Sequence, residues 1–284
     1  MTTGDIVKPI KTGKIEKVKQ AVELATDAKR AGFWYRGEPR EYDEPLTPVV
    51  FRSEWRARGL ALAKDLEQFF FHEFKRKAPA MITAPPNQKN NFKWLLLMRH
   101  HGTPTRLLDW SENFLVALYF AVRDYREETG IVWAMRAAGL NLSGCDKHKV
   151  LDERDYIVQT LVAEAAGGQL KLEQKQKLEL LNYPPAFKPT IHYPRMRAQY
   201  GAFTIHRQNI GYKQINELLP SPREWYRWTI DPDVKPVIES QLAAMGITED
   251  RLFPELDGLS ESLQREVRLK EQFASKAEVY ARPG

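Results

Sequence analysis

A dense polar run, Arg99-His100-His101-Gly102-Thr103-Pro104-Thr105-Arg106-Leu107-Leu108-Asp109-Trp110-Ser111, lies between two apolar segments. The segment before it, Phe92 to His100, predicts a short helix that halts at Gly102 and Pro104. The segment after it, Phe114 to Tyr125, places Phe114, Leu118, Ala121 and Val122 on one helical face, with Ser111 as a candidate N-cap. Gly102 and Pro104 fix the turn, so histidine, arginine, aspartate and tryptophan side chains are held between packed elements. Rigidly held connections of this kind often carry sites.

The rest of the chain alternates irregularly between strand-like and helical patterns, which predicts an α+β fold of mixed small β-sheets flanked by helices. Phe33 to Gly37, Val49 to Arg52, Gly130 to Met135, Thr190 to Tyr193, Gly201 to His206 and Arg223 to Ile230 have strand composition. Ala21 to Arg30, Leu60 to Lys77, Lys171 to Glu179, Val237 to Met245 and the stretch from Ser260 onward read as helices. Residues 1–30 read as a basic leader with a short helix, 31–263 as the folded domain, and 264–284 as a terminal helix and tail. The stretch from about 137 to 188 is poorly legible.

Composition narrows the class of protein. With 43% hydrophobic and 11% aromatic residues in 284, the chain has the means to bury a core without staples. Its single cysteine, Cys145, allows no internal disulfide, and no Cys/His spacing suggests zinc, so a reduced, cytoplasmic setting without a metal is expected. The longest apolar run, Phe114 to Val122, is too short to span a bilayer, and the N-terminus has no apolar signal core. Glycine-rich phosphate loops, GxSxG and zincin helices are absent from the sequence. The charge of +6 is concentrated: the leader holds five lysines against two acids, and Lys188 to Arg207 holds Lys188, Arg195, Arg197 and Arg207 with no acid. With His192, His206, Tyr193, Tyr200 and Phe203 interleaved, that second segment fits a nucleic-acid surface, and equally an ordinary strand pair with a solvated basic face.

A loop rich in His, Arg and Asp beside aromatic groups suits an anionic ligand with a flat ring. The same residues also have structural uses: Arg106 and Asp109 can pair, Asp109 or Ser111 can cap a helix, and Arg36 can bridge buried acceptors.

Phe33-Trp34-Tyr35-Arg36-Gly37, the run His101 to Ser111 followed by Ala117 to Ala121, Gln199 to Phe203, and Leu252 to Gly258 together resemble the FRG domain, a family of bacterial and phage proteins named for a Phe/Tyr-Arg-Gly motif. The order of the motifs is also similar to that of ADP-ribosyltransferases. This similarity implies an ADP-ribosyltransferase-like core that consumes NAD in bacterial conflict or stress, with a nucleic-acid or protein acceptor. Under it, Arg36 holds the NAD phosphates, Tyr35, Trp110 or Tyr119 walls the nicotinamide, and His101, Arg106 and Asp109 line the pocket. Gly37 and Arg52 belong to the cofactor-binding set, and Gln199 takes the position of the catalytic acid. A neutral amide stabilises a ribosyl cation poorly, so either Asp109, Glu38 or Glu224 supplies the carboxylate or the fold binds a nucleotide without transferring it. The alternative is a nucleic-acid-binding module without its own reaction, using Lys188, Arg195, Arg197 and Arg207.

Overall fold

β-Branched and aromatic residues build the centre of the sheet. Phe33–Glu38 (β2) pairs along its whole length with Gly130–Arg136 (β4), antiparallel, and the register sets Tyr35 opposite Ala134 and Gly37 opposite Val132. In the computed structural model, which describes residues 11–27, 31–56, 63–207 and 225–280, eight strands follow the order β1-β8-β4-β2-β3-β7-β6-β5. The others are β1 (Lys11–Lys14), β3 (Leu107–Ser111), β5 (Leu151–Asp152), β6 (Ala186–Lys188), β7 (Gly201–Ile205) and β8 (Trp225–Ile230). Two end pairs, β1 with β8 and β5 with β6, are parallel and the rest are antiparallel, so the sheet is mixed. The fold is α+β, with the expected small sheets joined into one.

The join is slight. β4 and β8 extend the β2 side and β7 and β6 extend the β3 side, each through a ladder of several residues or a short pair. Between β2 and β3, by contrast, one residue pair is registered, Tyr35 opposite Ser111. Beyond it the two strands part, leaving an open seam.

Helices cover both faces. α1 (Val18–Thr26), α5 (Phe114–Val122) and α10 (Lys235–Ala244) pack on the odd-numbered side of β2, where Phe33, Tyr35, Val132, Ala134, Trp228 and Ile230 form one core. α3 (Ala63–Lys77), α4 (Asn91–His100), α7 (Tyr156–Ala165) and α8 (Leu172–Glu179) form a second core with Leu107, Phe187, Phe203 and Ile205 on the other side of the seam. A tryptophan-rich core lies on the opposite face, where Trp34, Trp110, Trp133 and Trp225 meet α6 (Ala137–Cys145). This alternation of odd and even positions is the period-two pattern of strands buried on both faces. Short α2 (Ser53–Arg56), α9 (Pro194–Ala198) and α11 (Glu249–Leu252), and the long α12 (Leu256–Tyr280), complete the helices among the described residues.

Several expectations change. Val49 to Arg52 is no strand: Val49–Phe51 forms a 3-10 turn that leads into α2, with Val50 and Phe51 fully buried as a small apolar plug. Its composition is strand-like, but Pro45 and Pro48 remove ladder donors on its approach. Thr190 to Tyr193 also makes no ladder, being enclosed by Pro189 and Pro194. The second half of the polar run is strand β3 rather than a loop, because β7 offers it a full partner. Asn113, not Ser111, caps α5, its Oδ1 accepting from Leu115 N at 2.9 Å. The leader's Lys11–Lys14 is an edge strand, with Ile15 and Val18 buried behind it. The region 137–188 is built into the fold: Leu140, Val158, Leu161 and Leu178 all belong to its cores. No described helix is long and apolar enough to cross a membrane.

Candidate functional site

Where β2 and β3 separate, a cleft of about 240 Å³ opens over the seam. β2 contributes Tyr35, Arg36 and Gly37, and β3 contributes Asp109, Trp110 and Ser111. α4 supplies Leu96, Arg99 and His100, α5 supplies Ala117 and Phe120, and α9 with the turn after it supplies Arg195, Met196 and Gln199. Gly201 and Phe203 of β7 close the floor.

The Arg-Gly pair of β2 explains the opening. A Cβ at Gly37 would lie 1.8 Å from the Ala117 carbonyl oxygen, so only glycine lets α5 settle onto β2 here. Arg36 then spans the gap: its Nη1 donates to the Asp109 carbonyl at 2.9 Å, serving an acceptor that a fully paired β2 would serve with backbone. Its Nε donates to Glu38 at 3.2 Å. Glu38 is 1% exposed and also accepts from Trp133 Nε1 at 2.9 Å, so this carboxylate anchors Arg36 from behind and stands outside the cleft lining. Arg36 therefore has both of its structural uses, and it keeps Nη2 without a partner among the described residues.

Asp109 is the carboxylate in the lining. Arg99 donates to its Oδ2 through Nε at 2.7 Å and through a second, shorter contact, and Oδ1 has no partner among the described residues. The enclosing walls oppose ionisation of Asp109, but the Arg99 guanidinium overrides them and, with Arg36 and Arg195 near it, holds the carboxyl below its usual pKa. Arg195 lies over the Phe253 ring, 4.2 Å from its centroid, and donates to the His100 carbonyl at 3.3 Å. His100 stacks on Tyr193 at 5.0 Å. Burial first, then the neighbouring His101 and Arg195, push its pKa down to about 4, so its ring is neutral at pH 7. Gln199 donates through Nε2 to the Leu252 carbonyl at 3.0 Å, and its own carbonyl accepts from Ser111 Oγ at 2.8 Å. Three guanidinium groups thus face one carboxylate, leaving the cleft cationic with an apolar, aromatic wall.

The structure brings together Arg36, Asp109 and Gln199 with Tyr35, Gly37 and Trp110. It places four other expected residues elsewhere. His101 caps the C-terminus of α4 and is exposed. Arg106 is fully buried between Glu67 and Glu164, at 2.8 Å and 2.6 Å, where it ties β3 to α3 and α7. Tyr119 is buried, with its hydroxyl donating to Glu249, and burial raises its pKa. Arg52 donates to the Thr47 carbonyl at 3.1 Å and lies outside the lining. Glu224 falls outside the described residues.

The basic segment does not form one face. Lys188 pairs with Glu112 at 2.5 Å, Arg195 turns into the cleft, Arg197 is exposed, and Arg207 lies 3.8 Å from Glu164. Sequence reasoning passed over Arg99 and His100 as site residues, although both stand in the polar run. The signal was helical spacing: Arg99 lies three residues after Leu96, whereas His101 lies past the end of α4. Among the described residues no group of His, Cys, Asp or Glu is arranged to hold a metal ion.

No curated protein and no solved structure matches the chain at a significant level. A family model does match, over residues 31–130, and the stretch contains β2, α4, β3 and α5, the elements that frame the cleft on three sides. The matching model is that of the FRG domain, and residues 31–130 of the chain are similar to it.

Proposed function

We propose that the cleft binds a nucleotide through its diphosphate and that the protein transfers ADP-ribose from NAD to an acceptor. The observation that carries this reading is the convergence of Arg36, Arg99 and Arg195 on one seam cleft walled by Tyr35, Trp110, Phe120 and Phe203. Planar guanidinium groups with free nitrogens suit bidentate phosphate contacts, and aromatic walls suit a flat ring. Arg36 and Arg195 hold the phosphates, and Tyr35 or Trp110 lies against the nicotinamide.

Asp109 supplies the negative charge that Gln199 lacks. As the bond from ribose C1′ to nicotinamide nitrogen breaks, nicotinamide leaves neutral with the bonding pair and positive charge spreads over the ribose. A fixed carboxylate oxygen stabilises that charge, and Oδ1 of Asp109, which has no partner among the described residues, is the oxygen for it. Arg99 orients the carboxylate and keeps it ionised. The acceptor nucleophile then bonds to C1′ and loses its proton, while Gln199 orients a ribose hydroxyl. The nucleic-acid-binding alternative has less support, since Lys188, Arg195, Arg197 and Arg207 diverge.

The experiment is nicotinamide release from NAD in the presence of protein and nucleic-acid acceptors, with NAD and ADP binding measured in parallel by calorimetry. Asp109→Asn is expected to keep ADP binding and lose release, and Arg36→Lys to weaken binding. Absence of both NAD binding and cleavage would falsify the reading. Binding of nucleic acid alone, falling steeply with salt, would support the module alternative.

A further inference from the structure

The motif Leu252 to Gly258 has no place in the cleft lining, yet four lining residues rest on its first half. Phe253 lies under the Arg195 guanidinium, with 4.2 Å from ring centroid to charge centre, and meets the Phe120 ring edge-on at 5.9 Å. The Leu252 carbonyl accepts from Gln199 Nε2 at 3.0 Å, and Glu255 lies 3.7 Å from His100 Nε2. The local sequence explains how so short a stretch makes this seat. Leu252 is buried at the end of α11, and Pro254 disfavours helical geometry at Phe253, which takes φ −127° and ψ 79° and stops the helix. Gly258 lets the first turn of α12 close over the stop, since a Cβ there would lie 1.9 Å from the Phe253 carbonyl oxygen.

The Phe253 ring serves two guanidinium groups, and they differ in charge balance. Arg123, 4.8 Å from the ring centroid, is paired with Asp124 at 2.9 Å and with Glu249 at 3.3 Å. Arg195 forms no ion pair among the described residues, and its hydrogen bond goes to the neutral His100 carbonyl. Burial pulls the Arg195 pKa down, and Glu255 and Asp109 oppose that from beyond ion-pair distance. The electron-rich face of an aromatic ring attracts such a cation without cancelling its charge. A carboxylate in the same place would occupy the nitrogens that an incoming anion needs. We propose, resting on the anion-binding reading of the cleft, that Phe253 is a positioning residue, which holds Arg195 uncompensated at the cleft for the diphosphate of a bound nucleotide. The motif Leu252 to Gly258 thereby has a role in the site, although it lies outside the matched segment 31–130.

The test is binding of inorganic pyrophosphate to the full chain by calorimetry, with nicotinamide release from NAD followed in parallel. Phe253→Leu keeps an apolar side chain but removes the ring face, and is expected to bind pyrophosphate about fivefold more weakly while a cooperative thermal melt is retained. Phe253→Tyr keeps the ring and should restore wild-type affinity. In an Arg195→Ala background, where Arg36 still faces the anion, Phe253→Leu should bring no further loss, because its effect acts through the Arg195 guanidinium. Unchanged affinity in Phe253→Leu, a loss that persists in the Arg195→Ala background, a loss that Phe253→Tyr does not reverse, or a wild type that binds no pyrophosphate would each overturn the proposal. Transfer is judged separately. Pyrophosphate binding that depends on Phe253, without nicotinamide release, keeps the positioning role and removes the transferase reading, whereas nicotinamide release with pyrophosphate affinity indifferent to Phe253 does the reverse.

Discussion

At Gly37 the space allotted to a side chain is already occupied, with the Ala117 carbonyl 1.8 Å and the Ala121 nitrogen 2.7 Å from where a Cβ would stand. Gly37→Ala must push α5 off β2, and the expected loss is about 3 kcal/mol in urea unfolding, at the upper end of overpacking costs. Arg36 beside it has a different signature: Arg36→Lys should keep most of the fold and lose anion affinity, because an ammonium cannot serve both Glu38 and the Asp109 carbonyl while facing a phosphate. A second residue-scale prediction concerns acid. His206 is fully buried, and burial first, then the charges of Arg106 and Arg36, push its pKa down to about 3. Thr204 Oγ1 accepts from Trp110 Nε1 at 3.1 Å and lies 3.1 Å from His206 Nε2, the one hydrogen-bond contact of the ring among the described residues. Because the unfolded histidine binds its proton near pH 6.5 and the folded one only near pH 3, the unfolded state holds more protons between those values. This residue's contribution to stability therefore falls as pH drops through that window, by up to about 1.4 kcal/mol per pH unit. Denaturant midpoints from pH 7 to pH 4 check this, and His206→Asn should flatten the slope.

Elements carry the next level of organisation. Arg106 joins the start of β3 to α3 and α7 through Glu67 and Glu164, with Arg106 and Glu67 both fully buried. Arg106→Met leaves the Glu67 carboxylate without its counter-charge, and an expected loss of about 3–5 kcal/mol would show as a lowered melting temperature. That sizeable structural cost separates Arg106 from Arg99, where Arg99→Gln should chiefly raise the pKa of Asp109 and alter the pH profile of activity. Sequence patterning made many of the elements legible. The periodicity of Leu66, Phe70 and Phe74 marked α3, and the apolar runs marked α5 and β4. It failed where composition and pairing disagree. Val49 to Phe51 has strand residues but no strand partner among the described residues, while Leu107 to Ser111 was hidden as a strand by the polar groups it carries. The candidate site was half visible for the same reason: Arg36 and Asp109 stand in motifs, but Arg195 read as surface charge until α9 turned it inward over Phe253.

At the scale of the whole molecule, the matched segment 31–130 and the folding unit differ. The segment holds β2 and β3, but β4, which pairs with all of β2, and β7, which pairs with all of β3, lie almost wholly beyond it. Residues 31–130 expressed alone are therefore expected to stay unfolded, with random-coil circular dichroism, whereas the full chain melts cooperatively. Within the full chain the seam is the place where ligand should register. Binding of NAD or ADP across Arg36 and Asp109 should slow amide exchange in 35–38 and 107–111 more than in β4 or β8.

The seam also has a consequence for how the chain reaches its native state. Among the described strands the chain crosses the seam four times, as β2 leads to β3, β3 to β4, β4 to β5 and β7 to β8. Neither half of the sheet is a continuous piece of polypeptide, so neither can mature first while the other waits. The native contacts join distant parts of the sequence, as when Lys11 meets Tyr226. Such high contact order places folding toward the slow end, in roughly the millisecond-to-second range for small β-rich domains and longer for larger chains. The interlaced path, more than the single bridging pair, is what holds the two halves of the cleft in register.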